Sequence, residues 1–466
     1  MTQVPCHRRR LAYHQVMDRF DIVVIGAGAA GEAAAHFARS RGASVAIIDR
    51  ALFGGSCPFW ACMPSKALLH AAAVHHAGGD YPWSRASDFR DYMINREGTD
   101  SPDDSGHVRA LEDAGATVIR GSASLDGPGC VRVGERVIEA GSVILAIGSV
   151  SRVPELPGLA EARPWTNVEG TSTRELPRSL VVLGGGPTGV ELAQVYARYG
   201  VPVTLVHPRD HVHDREHPRS TELLATSLER DGVTLRLGTR AAAVRARAGT
   251  DGAHVVELAG GNAVEGHEIM LAIGRDIPFD GLGLESIGVT PKDGRLAPDD
   301  RLRVAPNVYV AGDVAGPELH THLGHYTGEA AARIALGDDY RPVFDAIPRA
   351  TYTDPETASV GLLLDQARER GMDAAEYTAD IGTSARGYTI EAQGHVTIVV
   401  DRARRRLVGA FMAGPAVSEA IHECVLAIRA DVPLETLADT IHAFPTVARV
   451  LGGVFIEADR DLARAT

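Results

Sequence analysis

Cys57 and Cys62 stand with four residues between them in the stretch Gly54-Gly55-Ser56-Cys57-Pro58-Phe59-Trp60-Ala61-Cys62-Met63-Pro64-Ser65-Lys66. Two thiols at that spacing are metal ligands, buried spectators or a redox disulfide. Zinc requires two more soft ligands at comparable spacing, and the sequence offers none nearby. In a regular helix, positions five apart are displaced by ~7.5 Å along the axis, too far for a disulfide. Bridging therefore predicts a distorted helical turn. Gly54, Gly55 and Pro58 are consistent with one, and Pro64 falls early enough to lie near a helix start. A thiolate at a helix N-terminus is favoured by the unsatisfied N–H groups there.

The elements that position this turn announce themselves through glycine. Asp21 to Ile25 is a short apolar, β-branched run and reads as a buried parallel strand. Gly26, Gly28 and Gly31 follow in the pattern G-x-G-x-x-G, then a helical segment from Glu32 to Arg41, then a second strand, Ser44 to Ile48, ending in Asp49. Strand, glycine loop, helix, strand and acid ~20 residues on form a dinucleotide-binding fingerprint in full context. The glycines permit a tight turn and close backbone approach, the helix N-terminus receives a pyrophosphate, and Asp49 accepts hydrogen bonds from a ribose.

The pattern recurs. Ser179 to Leu183 leads into Gly184, Gly186 and Gly189, a helix from Val190 to Tyr199 and a strand from Val203 to Val206. Two further strands share a signature, Val143 to Gly148 and Ile269 to Gly274. Gly26 to Gly148 spans 122 residues and Gly184 to Gly274 spans 90, so the first copy carries 32 more, and the cysteine turn lies among them. Two nucleotides on one chain imply electron transfer between two cofactors. In the second copy the strand ends not in an acid but in His207, followed by Arg209, His211 and His213. A carboxylate would repel a 2′-phosphate, whereas Arg209 and the imidazoles can pair with one, so NADPH is expected over NADH. Lys66 and Lys292 are the only lysines in an arginine-rich chain, and a compact ammonium beside the cysteine turn points to a specific partner, a carboxylate or a flavin ring.

With 466 residues the chain is long enough for about three domains. Lys and Arg number 47 against 60 Asp and Glu, a net charge of −13, which argues against nucleic acid as a partner. No run of ~18 apolar residues exists, so no membrane helix is expected, and no apolar stretch follows Arg8 to Arg10, so a cytoplasmic protein is expected. Residues 1–17 read as a ragged extension, with Met17 an alternative start. Ala86 to Asp104 is polar and turn-rich and reads as a surface loop. From Ile347 onward hairpin-like strands (His395 to Val400, Leu407 to Met412) and helices (Ser418 to Ala430, Leu434 to Thr440) form a separate α+β domain.

Together these features resemble the pyridine nucleotide–disulfide oxidoreductases, which include dihydrolipoamide dehydrogenase, glutathione reductase and mercuric reductase. The resemblance runs from Asp21 to Ala448. It is carried by the two fingerprints, by G-G-x-C-x4-C-x-P-S-K from Gly54 to Lys66, by Ala311-Gly312-Asp313, and by Ile347-Pro348 with Tyr352 to Glu356 and Val360-Gly361. It implies an α/β fold with two Rossmann-like domains, for FAD and NAD(P), plus a C-terminal α+β dimerisation domain. The boundaries would be 18–152 and 276–346 for FAD, 153–275 for NAD(P)H and 347–466 for a homodimer interface. It further implies that the first fingerprint and Asp313 hold FAD, that Gly55, Ser56, Gly148 and Gly274 contact the cofactors, and that Cys62 is the flavin-proximal thiol and Cys57 the one facing substrate. Lys66 would approach the flavin and pair with Glu191.

The chain departs from the family near its end. Disulfide-reducing members carry H-P-T-x-x-E, reaching in from the partner subunit, whose His is the acid–base and whose Glu orients it. Here Phe444 stands at the His position and Arg449 at the Glu position, with His442 two residues earlier. Phenylalanine moves no proton, and such catalysis contributes ~10²–10⁴-fold. His442 reads as structural. The C-terminal cysteine pair of mercuric reductase is missing too. Phe59 and Trp60 either narrow a substrate opening, offer a planar acceptor a stacking surface, or pack on a neighbouring helix. The expected function is an FAD-dependent NAD(P)H oxidoreductase passing electrons to a small acceptor: a quinone, a metal ion or a specialised thiol or disulfide. The alternatives are a true disulfide reductase or dithiol oxidase with a substitute base, and a non-catalytic redox-sensing dimer.

Overall fold

The computed structural model describes residues 18–464, so the extension at 1–17 and its alternative start lie outside the described residues. The described residues divide into two units: 18–64, 88–152 and 275–342 in one, 65–87, 153–274 and 343–464 in the other.

In the first unit Asp18–Ile25 is flanked by Val45–Asp49 and Arg136–Leu145, all parallel, with Thr117–Arg120 and Val308–Val310 extending the sheet on either side. Ile22, Val23, Val24 and Ile25 are between 0 and 5% exposed. A parallel strand covered on both faces requires such an uninterrupted apolar run. Helix Ala29–Ser40 packs along helix Thr321–Ala335, and the contact is possible because Gly328 has no Cβ, which would stand 2.1 Å from Ala30 O. The stretch expected as a loop from Ala86 to Asp104 is helical over Trp83–Met93, and turns follow only from there. Arg90 is fully buried on that helix, donating to Asp91 at 2.8 Å, so its polarity is internal.

The second unit holds a four-stranded parallel sheet, Val233–Arg236, Val203–Val206, Leu180–Leu183 and Glu268–Leu271 in that order. A three-stranded antiparallel sheet, Ala241–Arg245, His254–Leu258 and Ala263–Gly266, accompanies it. The C-terminal part is a five-stranded antiparallel sheet in which His395–Asp401 and Arg406–Gly414 form the expected hairpin. Helices Val417–Arg429 and Val447–Arg464 lay their apolar stripes on the same core as that sheet. No helix among the described residues is long and apolar enough to cross a membrane.

His395 is fully buried in this sheet, bonded through Nε2 to Ser220 Oγ and through Nδ1 to Thr397 Oγ1, both at 2.8 Å. Burial, with His217 and Arg219 adding to it, lowers its pKa to about 3. The unfolded chain binds this proton near pH 6.5, so the folded form loses stability as pH falls from about 6.5 towards 3, by at most about 1.4 kcal/mol per pH unit. The unfolding midpoint is therefore expected to drop more steeply between pH 6.5 and 4 in the wild type than in His395→Gln. Parallel slopes in the two proteins would refute the assignment.

Candidate active site

The cysteine turn consists of two helices that do not merge. Ser56–Trp60 and Cys62–His76 are separated at Ala61, whose φ of −134° and ψ of −94° lie outside the helical region. This is the distorted turn that the spacing requires. Gly54 and Gly55 adopt φ of +99° and +72°, and a Cβ on Gly55 would stand 2.7 Å from Gly28 Cα. The turn thus lies backbone to backbone against the first glycine loop, where Gly54 N–H donates to Ala27 O at 2.8 Å. Pro58 and Pro64 each fall in the first turn of their helix, where an N–H has no intrahelical acceptor. Ser56 opens the short helix and Cys62 the long one, so Cys62 Sγ sits at a positive helix end.

The two thiols hydrogen-bond to each other, and Cys62 Sγ lies 3.4 Å from Thr321 Oγ1. The bond to Cys62, followed by burial and the neighbouring sulfur's charge, pushes the Cys57 thiol up. In a reduced pair the Cys57 thiol therefore holds its proton. Phe59 is 1% exposed and meets His107 edge-on at 5.6 Å, so it is a packing residue and no part of an opening.

One turn along the same helix from Cys62, Lys66 Nζ donates to both oxygens of Glu191, at 3.0 and 2.9 Å. Glu191 is 4% exposed on helix Pro187–Arg198, which begins at the second glycine loop. Its Oε1 also accepts the Tyr352 backbone N–H at 3.0 Å, and Lys66 Nζ stands 4.7 Å from the Tyr352 ring centroid. The carboxylate is thus held from two directions, and the ammonium keeps a third of its side chain in solvent.

Both glycine loops form cradles that a Cβ would fill. On Gly26 it would stand 2.2 Å from Ala146 O and on Gly31 1.8 Å from Gly26 O; on Gly184 and Gly189 the distances are 2.3 Å to Ala272 O and 2.0 Å to Gly184 O. Gly28 and Gly186 are N-caps without a side chain to satisfy the first-turn N–H groups, the arrangement that receives a pyrophosphate. Asp49 Oδ2 accepts from Ala27 N at 2.7 Å, which anchors the acid against the loop. Asp313 lies in a short 3₁₀ turn and accepts from Ser149 Oγ, to which Arg275 Nε also donates at 2.6 Å. Gly148 and Gly274 take φ of +63° and +121° at the ends of their strand connections.

The second loop corrects the expectation for its imidazoles. His207 is 8% exposed, its Nδ1 accepts Gly185 N–H at 3.0 Å, and burial lowers its pKa. It is therefore neutral with its proton on Nε2, a buried donor with no hydrogen-bond partner among the described residues. It offers a neutral N–H to a nucleotide rather than a charge. His213 turns inward, buried, and bonds Thr351 Oγ1 at 2.8 Å. Arg209 stays a largely exposed cation, 3.7 Å from Asp214, and His211 is exposed as well, 3.5 Å from Asp210.

His442 is held by Glu423 at 2.9 and 3.2 Å and packs against Phe455. A Cβ on Gly452 would stand 2.4 Å from His442 Nδ1, so the ring is enclosed, in keeping with a structural role. Phe444 is 73% exposed and Ile441 97%. Sequence reasoning missed Thr321, the Tyr352 N–H, and the pair formed by His320 Nε2 and Glu318 Oε2 at 2.8 Å immediately before Thr321. Tyr352 carried a signal, since it opens the Tyr-Thr-Asp-Pro-Glu motif; Thr321 and His320 carried none.

Comparison with known proteins accords with this geometry. Residues 20–330 match the family described as pyridine nucleotide-disulphide oxidoreductase, and residues 347–453 match its dimerisation domain. The chain is 33% identical over 450 residues to dihydrolipoyl dehydrogenase of Thermus scotoductus, covering 93% of this chain and 96% of that protein. It is 31% identical over 456 residues to mercuric reductase of Streptomyces lividans, covering 93% and 94%. Among solved structures it superimposes on the Cu(II) complex of the HOCl-induced flavoprotein disulfide reductase RclA from Escherichia coli with a TM-score of 0.84 and 25% identity, covering 93% of this chain and 99% of that one.

Proposed function

The chain belongs to the pyridine nucleotide–disulphide oxidoreductases, FAD-dependent enzymes that use NAD(P)H, and from that premise we propose that it passes electrons from NADPH through the Cys57–Cys62 pair, or past it, to a small acceptor other than an ordinary disulfide. FAD, when bound, supplies the two-electron step between nicotinamide and sulfur. The residues that would hold it are Gly26, Gly28, Gly31, Asp49 and Asp313, with Gly55 and Ser56 on the cysteine turn. Gly184, Gly186, Gly189, His207 and Arg209 would hold NADPH, and Arg209 with the neutral His207 Nε2–H suits a 2′-phosphate better than a strand-end acid would.

The observation that carries this reading is the segment from Ile441 to Arg449. Its only imidazole is enclosed against Glu423, and an exposed phenyl ring stands where a proton carrier would be needed. A quinone or a metal ion as substrate makes less demand on such a carrier than thiol–disulfide interchange does. The similar Escherichia coli protein is described as a Cu(II) complex, which supports a metal ion among the acceptors.

A second reading, a disulfide reductase with a substitute base, is favoured by one observation. His320 and Glu318 form an imidazole–carboxylate pair next to the threonine that touches Cys62. One experiment separates the two. Anaerobic NADPH is expected to bleach the flavin faster than NADH and to release two further thiols per chain. Quinone reduction should then survive Cys57→Ser and His320→Gln. Turnover of lipoamide or glutathione disulfide at rates normal for a dedicated reductase, lost in His320→Gln, would establish the second reading instead.

A further inference from the structure

His213 has the attributes of a buried linker whose bonds lead somewhere. Its backbone is left-handed at φ +59°, a conformation that costs a side-chain-bearing residue roughly 1–2 kcal/mol and must be repaid by contacts. Those contacts run in two directions. Its N–H donates to Gly185 O in the second glycine loop at 2.8 Å, and its Nε2 meets Thr351 Oγ1 at 2.8 Å. Thr351, 1% exposed, ends strand Arg349–Thr351. The next residue, Tyr352, directs its N–H into Glu191 Oε1 at 3.0 Å and its ring beneath Lys66 Nζ. A continuous path of hydrogen bonds and one peptide unit thus joins Gly185 to the Lys66–Glu191 pair.

We propose that His213 is a positioning residue for that pair: by tying Thr351 to the glycine loop, it sets the Tyr352 N–H that orients the Glu191 carboxylate, so that nucleotide occupancy of the loop is transmitted to Lys66. The proposal rests on the reading that the second fingerprint holds NAD(P)H. Two features set it apart from simple packing. The hydroxyl–imidazole bond is one of two joints between this turn and the strand, beside Arg349 Nε to Glu216 Oε1 at 3.1 Å, and it is the one that reaches the residue next to Tyr352; one methyl group can break it without a change of volume. The imidazole is also neutral, since burial lowers its pKa despite the nearby carboxylates Glu216, Glu191 and Asp214, with Arg349 acting in the same direction as burial. The bond therefore does not depend on a charge that solvent would screen.

Thr351→Val removes the hydroxyl and Thr351→Ser keeps it; His213→Asn tolerates the left-handed backbone but shortens the side chain. In the FAD-loaded protein, Thr351→Val and His213→Asn are expected to slow the limiting rate of flavin bleaching by NADPH about tenfold. The Kd for NADP⁺ should stay within twofold, and Thr351→Ser should remain within twofold of wild type in both. Hydrogen exchange supplies a readout independent of turnover: NADP⁺ should protect the amides of residues 349–353 in wild type and Thr351→Ser but not in Thr351→Val. Equal protection in Val and Ser variants, or a bleaching rate within twofold of wild type in Thr351→Val, would overturn the proposal. Failure of NADP⁺ to bind the wild type at all would instead overturn the nucleotide reading beneath it.

Discussion

Lys66→Met is expected to lower the rate of flavin reduction by NAD(P)H by at least about 10², the scale of losing one preorganised electrostatic group, and to destabilise the protein at the same time. The reason lies in what the substitution leaves behind. Glu191 is 4% exposed, and both its oxygens bond Lys66 Nζ. Removing one partner of a buried pair typically costs ~3–5 kcal/mol because the other charge is stranded. A third of the Lys66 side chain remains in solvent, so about 2 kcal/mol is the appropriate expectation here. The Tyr352 N–H still reaches Glu191 and softens the loss further. Adding Glu191→Gln to Lys66→Met should return most of the stability, because the amide needs no counter-ion, while leaving flavin reduction slow. Thermal unfolding and anaerobic stopped flow on the two single variants and the double variant measure both quantities. A double variant as unstable as Lys66→Met, or a single variant reduced at the wild-type rate, would show that the pair is only a surface contact.

That experiment bears on how much of this site was legible beforehand. The glycine loops were readable because their constraint is local: a Cβ at Gly26 or Gly184 meets a carbonyl oxygen that every such turn places there. The distorted cysteine turn was readable for the same reason, from helix geometry and two early prolines. Lys66 and Glu191 are 125 residues apart in sequence, and they were paired beforehand only through the family resemblance, which the 2.9 Å contact now matches in geometry. Residues contributed by a distant connection left no trace. Thr321 reaches Cys62 because helix Thr321–Ala335 packs against Ala29–Ser40, and nothing in either segment states that register. Polarity misled twice, each time by internal pairing. The buried pair Arg90 and Asp91 made a helix look like a loop, and His213 looked like a partner for a 2′-phosphate although it is bonded to Thr351.

Restoring an imidazole at position 444 is the most direct test of the function proposed for the chain. Phe444→His combined with Arg449→Glu rebuilds the pattern in which a carboxylate orients a proton carrier, and general acid–base catalysis is worth ~10²–10⁴-fold. Turnover of lipoamide or glutathione disulfide is therefore expected to rise by about 10², while quinone reduction stays within about twofold, since only interchange at Cys57 needs the relay. Neither substitution disturbs the chain's own core, because within the chain Phe444 is 73% exposed and Arg449 lies on the exposed face at the start of helix Val447–Arg464. The existing His442 cannot deputise, since Glu423 holds its Nε2 and Gly452 closes over its Nδ1. The gain should carry an inflection near pH 6.5, the range in which an imidazole titrates, and that inflection should be absent from the parent protein's disulfide activity. Phe444→Ala with Arg449→Glu controls for space alone. If the alanine variant gains as much as the histidine variant, the phenyl ring was only blocking entry; if neither gains, the missing proton carrier is not what limits the protein with disulfides, and the acceptor argument built on Phe444 fails.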